Sequence, residues 1–108
     1  MVYRSKTSQA YCEFIIRERG PAEHSELTIE VDSSFDAGFV EALKKGLRHN
    51  LERAWDPDNK RWYISPFALD RAVDIAKSYF SNVYKTEGED VVDLHTGALI
   101  PTTGNLFS

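Results

Sequence analysis

The sequence predicts a small α+β domain, in which a largely antiparallel sheet packs one face against two helices and leaves the other face open to solvent. Three features lead to this fold class. Two early segments alternate between apolar and polar residues, two later segments repeat apolar residues at helical spacing, and a tight turn lies between the two tryptophans. Taken along the chain, these features give the order β-β-α-β-β-α.

Alternation marks the first two strands. In residues 11–18 the apolar positions share one face, and in residues 26–32 acidic and hydroxyl side chains occupy every second position. The residues expected to face the core are Cys12, Phe14, Ile16, Leu27, Ile29 and Val31. Because the opposite positions of residues 26–32 are polar, one face of the sheet is expected to be wet.

Helical spacing marks residues 35–48 and residues 66–80. The first helix is expected to have its N-cap at Ser33 or Ser34 and Asp36 in its first turn. The second helix is expected to start with Ser65 as N-cap and proline at its first position. The expected buried stripes are Phe35, Phe39, Val40, Leu43 and Leu47 in the first helix, and Leu69, Ala72, Val73, Ala76, Tyr79 and Phe80 in the second.

A β-hairpin is expected between the helices, with residues 51–55 and 61–64 as its arms. The turn sequence DPDN at residues 56–59 places Pro57 where its fixed φ suits a type I turn. The flanking Asp and Asn side chains can hydrogen-bond their own backbone. The sequence therefore predicts this hairpin from local chemistry alone.

The length of 108 residues suits one domain. Residues 1–10 are polar and aperiodic and are expected to form a flexible leader, and residues 11–85 the α+β domain. Residues 86–108 are expected to form an acidic tail containing Gly and Thr, with a short edge strand over residues 91–94 as an alternative. The leader lacks the apolar stretch of a secretory signal, and no apolar run approaches the roughly 20 residues of a membrane helix. We therefore expect a cytoplasmic protein that does not enter a membrane.

The net charge of −4 disfavours nucleic-acid binding when taken alone, but the charge is unevenly distributed. Residues 21–36 and 86–108 contain acidic side chains and no Lys or Arg, whereas residues 37–62 contain more basic than acidic side chains. The basic residues of this middle segment are Lys44, Lys45, Arg48, Arg53, Lys60 and Arg61. Since the first helix and the hairpin are adjacent in the chain, these cations are expected to converge on one rim that can contact phosphates. The alternative is a solvated helix face and hairpin tip.

Residues that support catalysis or metal binding are sparse. Cys12 alternates with apolar neighbours and is expected to be a small buried hydrophobe, and the three histidines lie far apart. No cofactor fingerprint, phosphate-binding glycine loop or Ser-His-Asp arrangement is present. Turn chemistry accounts for Asp56 and Asp58 near Glu52. We expect no metal, no cofactor and no enzymatic activity.

The sequence RAWDPDNKRWYI at residues 53–64, preceded by Leu43-Lys44-Lys45 and followed by a helix, resembles the HARP-type modules found beside annealing helicases and related bacterial and phage proteins. In these modules a W-D-P-x-x-K-x-W hairpin recurs. The resemblance covers roughly residues 26–80. It implies a non-catalytic accessory that binds single-stranded or branched DNA in bacterial or phage replication and repair. The matching positions are Lys44, Lys45, Arg53, Trp55, Lys60, Arg61 and Trp62.

The aromatic residues of the hairpin have two interpretations. Trp55 and Trp62 can be a cross-strand pair in the hairpin core, or a platform on which bases stack. Because Tyr63 has the opposite parity to Trp62, burial of Trp62 would leave Tyr63 and Arg61 as the exposed stacking surface. The open sheet face and the cationic rim are the expected binding surface.

Two further expectations concern partners. The C-terminal GNLFS resembles the short Leu-Phe peptides by which bacterial replication and repair proteins dock on the sliding clamp, so Leu106 and Phe107 are candidates for docking a protein partner. The alternative to DNA binding is an acidic protein-interaction module of a phage or plasmid that occupies the nucleic-acid site of a host protein. The net charge and the two acidic segments favour this alternative.

Overall fold

A computed structural model describes residues 10–100 of the chain and confirms the α+β class. Its elements, in chain order, are β1 (Cys12–Ile16), β2 (Ile29–Ser33), α1 (Ala37–Gly46), β3 (Arg53–Asp56), β4 (Arg61–Ile64), a short 3-10 helix (Pro66–Ala68), α2 (Leu69–Tyr79), β5 (Val83–Glu87), β6 (Asp90–Asp93) and β7 (Leu99–Ile100). The predicted β-β-α-β-β-α order is therefore present, and three further strands follow it.

The seven strands form one sheet in the order β3-β4-β2-β1-β5-β6-β7. The pairing is antiparallel except between β1 and β5, which run parallel, with Cys12 opposite Val83. This parallel pair joins the first half of the chain to its last strands, with α2 as part of the connection. The hairpin strand β3 and the short β7 form the two described edges of the sheet.

Both helices cover the same face of the sheet, as predicted. The core on that face contains Cys12 and Phe14 of β1 together with Ile29 and Val31 of β2, all at most 3% exposed. From the helices it receives Phe39, Leu43, Ala72 and Ala76, and the rings of Phe39 and Phe80 meet edge to face at 5.0 Å. The buried Cys12 thiol confirms the expectation of a small hydrophobe, and burial raises its pKa.

The start of α1 differs from the prediction. The N-cap is Asp36, whose Oδ1 accepts a hydrogen bond from the Phe39 backbone N–H at 2.9 Å. Ser33 cannot serve because it pairs with Cys12 in the sheet, and the Ser34 hydroxyl accepts the Tyr11 backbone N–H at 3.1 Å. Asp36 is therefore not in the first turn, and Phe35 lies outside the helix.

The second helix begins as predicted and then deviates slightly. Ser65 Oγ accepts the Phe67 backbone N–H at 3.0 Å, but the first turn after it is a 3-10 helix. Tyr79, which was expected in the buried stripe, is 42% exposed. Its ring lies over Gly38 of α1, where an added Cβ would come within 2.8 Å of it. The absence of a side chain at Gly38 lets the two helices approach there.

The sheet continues past the domain boundary predicted at residue 85. Strand β5 runs from residue 83 to 87, and β6 pairs with both β5 and β7, so β6 is not an edge strand. Residues 86–100 thus belong to the sheet rather than to a tail. Leu106 and Phe107 lie outside the described residues. Within residues 10–100 no helix has the length and apolar character needed to cross a membrane.

The hairpin is confirmed, although its first arm starts at Arg53 rather than at Leu51, which is 57% exposed in the preceding turn. Asp56 Oδ1 accepts the Asp58 backbone N–H at 3.0 Å, and Asp56 Oδ2 accepts the Asn59 side-chain amide at 2.9 Å. The turn residues are thus used as the sequence predicts.

A buried carboxylate joins the hairpin to both helices. Glu52 is 7% exposed and accepts two hydrogen bonds from the Arg71 guanidinium of α2, one of them at 3.0 Å, and one from the Arg48 backbone N–H at 2.9 Å. Arg71 also donates to the Gly46 carbonyl at the end of α1. The hydrogen bonds from Arg71, and then that from Arg48, lower the pKa of Glu52 to about 2. The carboxylate is therefore ionised in the folded protein at any ordinary pH.

Glu52→Gln tests this anchor through its pH dependence. A carboxyl group with a lowered folded-state pKa stabilises the fold fully above its unfolded value of 4.5 and loses that contribution as the pH falls toward 2. We therefore expect the variant to have a lower Tm than wild type at neutral pH, with the difference shrinking between pH 4.5 and pH 2. Thermal unfolding followed by circular dichroism measures this. A Tm difference that stays constant down to pH 2 would contradict it.

Phe39→Ala tests the core. Phe39 is 1% exposed and contacts both Tyr79 and Phe80, so its truncation should cost about 3–5 kcal/mol of the free energy of unfolding. Phe67→Ala is the matched control because Phe67 is 92% exposed, and its truncation should change stability by about 0.5 kcal/mol or less. Urea unfolding measures both. Equal losses for the two variants would show that the helix-covered face is not the core.

Candidate nucleic-acid interface

A groove of about 560 Å³ lies between α1 and the β3–β4 hairpin, on the helix-covered side of the sheet. We call it the tryptophan groove. Its lining residues are Val31, Asp32, Ser33, Ser34, Phe35, Asp36, Val40, Lys44, Trp55, Lys60, Arg61 and Trp62. Of the nine residues predicted to bind nucleic acid, the groove brings together Lys44, Trp55, Lys60, Arg61 and Trp62.

The two tryptophans form a cross-strand pair with different roles. Trp55 on β3 lies opposite Trp62 on β4, and their rings meet at an interplanar angle of 61° with centroids 5.3 Å apart. Trp62 packs against the hydrophobic core, whereas Trp55, on the edge strand, is 48% exposed. The two interpretations of the pair therefore apply to different rings, because Trp62 anchors the hairpin and Trp55 presents an aromatic surface.

Phe35 lines the groove, although its helical spacing predicts a place in the buried stripe of the first helix. It is 87% exposed because Asp36 has extended backbone angles, so the residue before it leaves the helix axis. Phe35 and Val40 have the spacing of a hydrophobic staple around the Asp36 cap, and both line the groove. Recognition of Asp36 as the N-cap would have identified this arrangement.

Lys44 and Lys60 supply the free positive charge of the groove. Both are exposed, and neither forms an ion pair within the described residues 10–100. Lys60 closes the hairpin turn with a φ of +56°, in the left-handed region where glycine or asparagine is the ordinary choice.

The acidic groove residues are already engaged. Asp36 caps α1, and Asp32 accepts the Tyr11 hydroxyl at 3.0 Å and the Arg61 guanidinium at 2.9 Å. Arg61 also reaches Glu30 at 3.2 Å. Because its guanidinium is held by these two carboxylates on the open sheet face, Arg61 contributes less free charge to the groove than Lys44 and Lys60 do.

The structure places the other predicted residues elsewhere. Lys45 is exposed on α1 without lining the groove, and Arg48 lies 3.8 Å from Glu52. Tyr63 is on the open sheet face beside Glu30, where burial first, and then the carboxylates of Glu30 and Asp56, raise its pKa. Tyr63 and the two tryptophans therefore lie on opposite faces of the sheet and cannot form one platform.

Arg53, the ninth predicted residue, is directed inward. Its Nε donates to the Leu47 carbonyl at 3.0 Å, its Nη2 lies 3.4 Å from the Lys44 carbonyl, and its Cζ lies 5.7 Å from the centroid of the Trp62 ring. The guanidinium thus bridges the end of α1 and the floor of the hairpin.

The open sheet face carries a network of ion pairs rather than a free basic surface. Glu13 and Glu30 are each 9% exposed there, and Glu30 binds Arg17 at 2.9 Å as well as Arg61. Thr86 donates its hydroxyl hydrogen to Glu13 at 2.6 Å. Both arginines are thus neutralised by neighbouring carboxylates, and this face presents little unpaired positive charge to a phosphate.

Within the part of the chain that the structure describes, no group of three or more His, Cys, Asp or Glu side chains is arranged to hold a metal ion. No family model, curated protein or solved structure matches this chain. The resemblance to HARP-type modules therefore stays a prediction.

Proposed function

We propose that the tryptophan groove binds a single strand of nucleic acid, and that the protein is a non-enzymatic accessory of DNA replication or repair acting in the cytoplasm. Trp55 and Phe35 would stack on bases, while Lys44 and Lys60 would contact phosphates. The proposal agrees with the HARP-like hairpin of residues 53–64. It replaces the open sheet face with the groove as the binding surface.

The observation that carries the proposal is the half-exposed Trp55 beside Lys44 and Lys60, which form no ion pair with any residue in the range 10–100. Stacking of a base on an aromatic ring contributes about 1–3 kcal/mol to the binding free energy, and it does not depend on which base is present. Trp62 and the hairpin register hold Trp55 in place before any ligand arrives, so little side-chain entropy is lost on binding. Together these features suit an unpaired, anionic chain of planar groups.

Single strands are favoured over duplex for two reasons. The aromatic surfaces of Trp55 and Phe35 need exposed base faces, which a duplex keeps stacked inside. A duplex would instead need a wide basic surface, and here the groove is bordered by the acidic turn at Asp56 and Asp58 and by the ion-paired open face.

The acidic protein-interaction module is a second candidate. It is favoured by the carboxylates of the open sheet face, where Glu30 and Asp32 are already arranged around arginine guanidinia. A basic partner segment could replace Arg17 or Arg61 in this network. The groove candidate depends on Trp55 and Lys60, whereas the interaction candidate depends on Glu30 and Arg17, so substitutions at these residues distinguish the two.

Trp55→Ala tests the proposed function. With a labelled short oligothymidine, and with duplex and forked DNA as competitors, we expect wild type to bind the single-stranded and forked forms at about 50 mM salt. Loss of one stacked ring should weaken that binding about tenfold or more. Trp55→Phe should retain part of the affinity because it keeps a ring. Fluorescence anisotropy measures all three proteins.

Phe67→Ala is the control for this experiment, since Phe67 is 92% exposed and does not line the groove. It should bind like wild type. Absence of binding to every DNA form would exclude the proposed function and favour the protein-interaction module. Equal affinity for Trp55→Ala and wild type would exclude the groove as the binding surface.

Lys60→Gly separates binding from folding. Because Lys60 has a φ of +56°, glycine should relieve backbone strain and leave stability unchanged or raised by about 1 kcal/mol. Binding should nevertheless weaken, and the slope of log affinity against log salt should fall by about 0.7 for the lost phosphate contact. Urea unfolding and anisotropy at several salt concentrations measure the two effects. An unchanged salt slope would show that Lys60 does not contact phosphate.

A further inference from the structure

We propose that Arg53 is a positioning residue and not a phosphate contact. Its guanidinium fixes the orientation of the Trp62 ring and, through that ring, the orientation of Trp55. The consequence for binding rests on the proposed function of the groove. The effect on the tryptophan geometry does not, because it is a property of the free protein.

The hydrogen bonds of Arg53 define its position at the end of α1. The guanidinium donates to the carbonyl of Leu47, which is the C-cap of the helix, and reaches the carbonyl of Lys44 in the last turn. Carbonyls at this end of a helix lack intrahelical partners and carry the negative end of the helix dipole. The planar guanidinium can donate hydrogen bonds to two carbonyls and place its positive charge near the negative end of the dipole. A lysine ammonium has a less suitable geometry for donating to both carbonyls.

The second contact of Arg53 links this helix end to the tryptophans. Its Cζ lies 5.7 Å from the centroid of the Trp62 ring, within the range of a cation–π interaction. Strand parity places Arg53 and Trp55 on the same side of β3, and Trp62 lies opposite Trp55. The guanidinium therefore supports Trp62, and Trp62 supports the exposed Trp55 ring across the strand pair.

The backbone of Arg53 is fixed as well. Its N–H lies 3.2 Å from the Arg48 carbonyl, and its carbonyl accepts the Asn50 N–H at 2.8 Å, so the 48–50 turn covers the outer side of β3 at this residue. Asn50 adopts a φ of +60° to make this turn. Both the main chain and the side chain of Arg53 are thus committed to contacts inside the protein.

A positioning role gives a different signature from a phosphate contact. A phosphate contact would be retained largely by Arg53→Lys, and Arg53→Ala would lower the salt slope of single-strand binding by about 0.7. A positioning residue requires the planar fork, so Arg53→Lys should already weaken binding about fivefold, and neither variant should change the salt slope.

The decisive readout is circular dichroism of the free protein, because two indoles with centroids 5.3 Å apart and planes inclined by 61° are expected to give an exciton couplet. We expect Arg53→Lys to reduce this couplet, while Arg48→Lys, at a neighbouring arginine whose guanidinium lies 3.8 Å from Glu52, leaves it unchanged. Thermal unfolding of each variant identifies a temperature at which all are folded, and the spectra are compared there.

The outcomes separate this inference from the proposed function. A reduced couplet in Arg53→Lys supports positioning even if no DNA binds. Lys44→Ala, which removes a proposed phosphate contact, is expected to lower the salt slope by about 0.7 and serves as the reference. An unchanged couplet in Arg53→Lys, or a salt slope in Arg53→Ala lowered by the amount expected for Lys44→Ala, overturns the inference, and the second result makes Arg53 a phosphate contact.

Discussion

Two short helices cannot cover a seven-stranded sheet, and this mismatch determines where the protein is exposed. Six strand spacings of about 4.8 Å give a sheet about 29 Å wide, whereas two helices packed side by side cover about 20 Å. α1 and α2 lie over the central strands, where the buried residues of β1 and β2 are. The hairpin at one edge therefore extends beyond the helices. Ile64 and Trp62 of its inner strand β4 pack on the core, whereas Trp55 on the edge strand β3 borders a groove.

The chemistry of the two sheet faces then differs. On the helix side, an aromatic pair and two lysines without ion pairs in the described chain border an open groove. On the open side, Glu30 and Asp32 hold Arg17 and Arg61 in pairs that leave little free charge. Paired surface charges attract phosphate weakly, whereas an exposed ring beside unpaired cations can combine stacking with electrostatic attraction. The face that the sequence suggested for binding is thus the less suitable one.

Features that depend on neighbouring residues could be predicted from the sequence. The hairpin turn at Asp56, the Ser65 cap and the alternation in β1 all follow from local backbone chemistry, and each is present. The parallel pairing of β1 with β5 joins residues about seventy positions apart and has no local signal. Without such a signal, the sequence predicts a tail from residue 86 with at most a short edge strand, where the structure has the end of β5 and the strands β6 and β7.

The wrong predictions for residues of the candidate site also arise from contacts between residues that are distant in the sequence. Phe35 fits the helical spacing, but Asp36 is the N-cap because Ser33 is paired in the sheet and the Ser34 hydroxyl accepts the Tyr11 backbone N–H. These contacts come from residues distant in the sequence. Arg53 and Arg61 looked like free cations, although their partners, the carbonyls at the end of α1 and the carboxylates of β2, are supplied by packing. Net charge along the sequence counts cations, whereas binding depends on the cations that folding leaves unpaired.

The most direct test of this account is NMR chemical-shift mapping of the ¹⁵N-labelled protein during titration with a short single-stranded oligonucleotide. The account predicts that the indole N–H signal of Trp55 and the backbone amides of Lys44 and Lys60 shift together, while those of Tyr63 and Thr86 on the open sheet face stay in place. Shifts concentrated at Tyr63 and Thr86, with the groove signals unchanged, would contradict it.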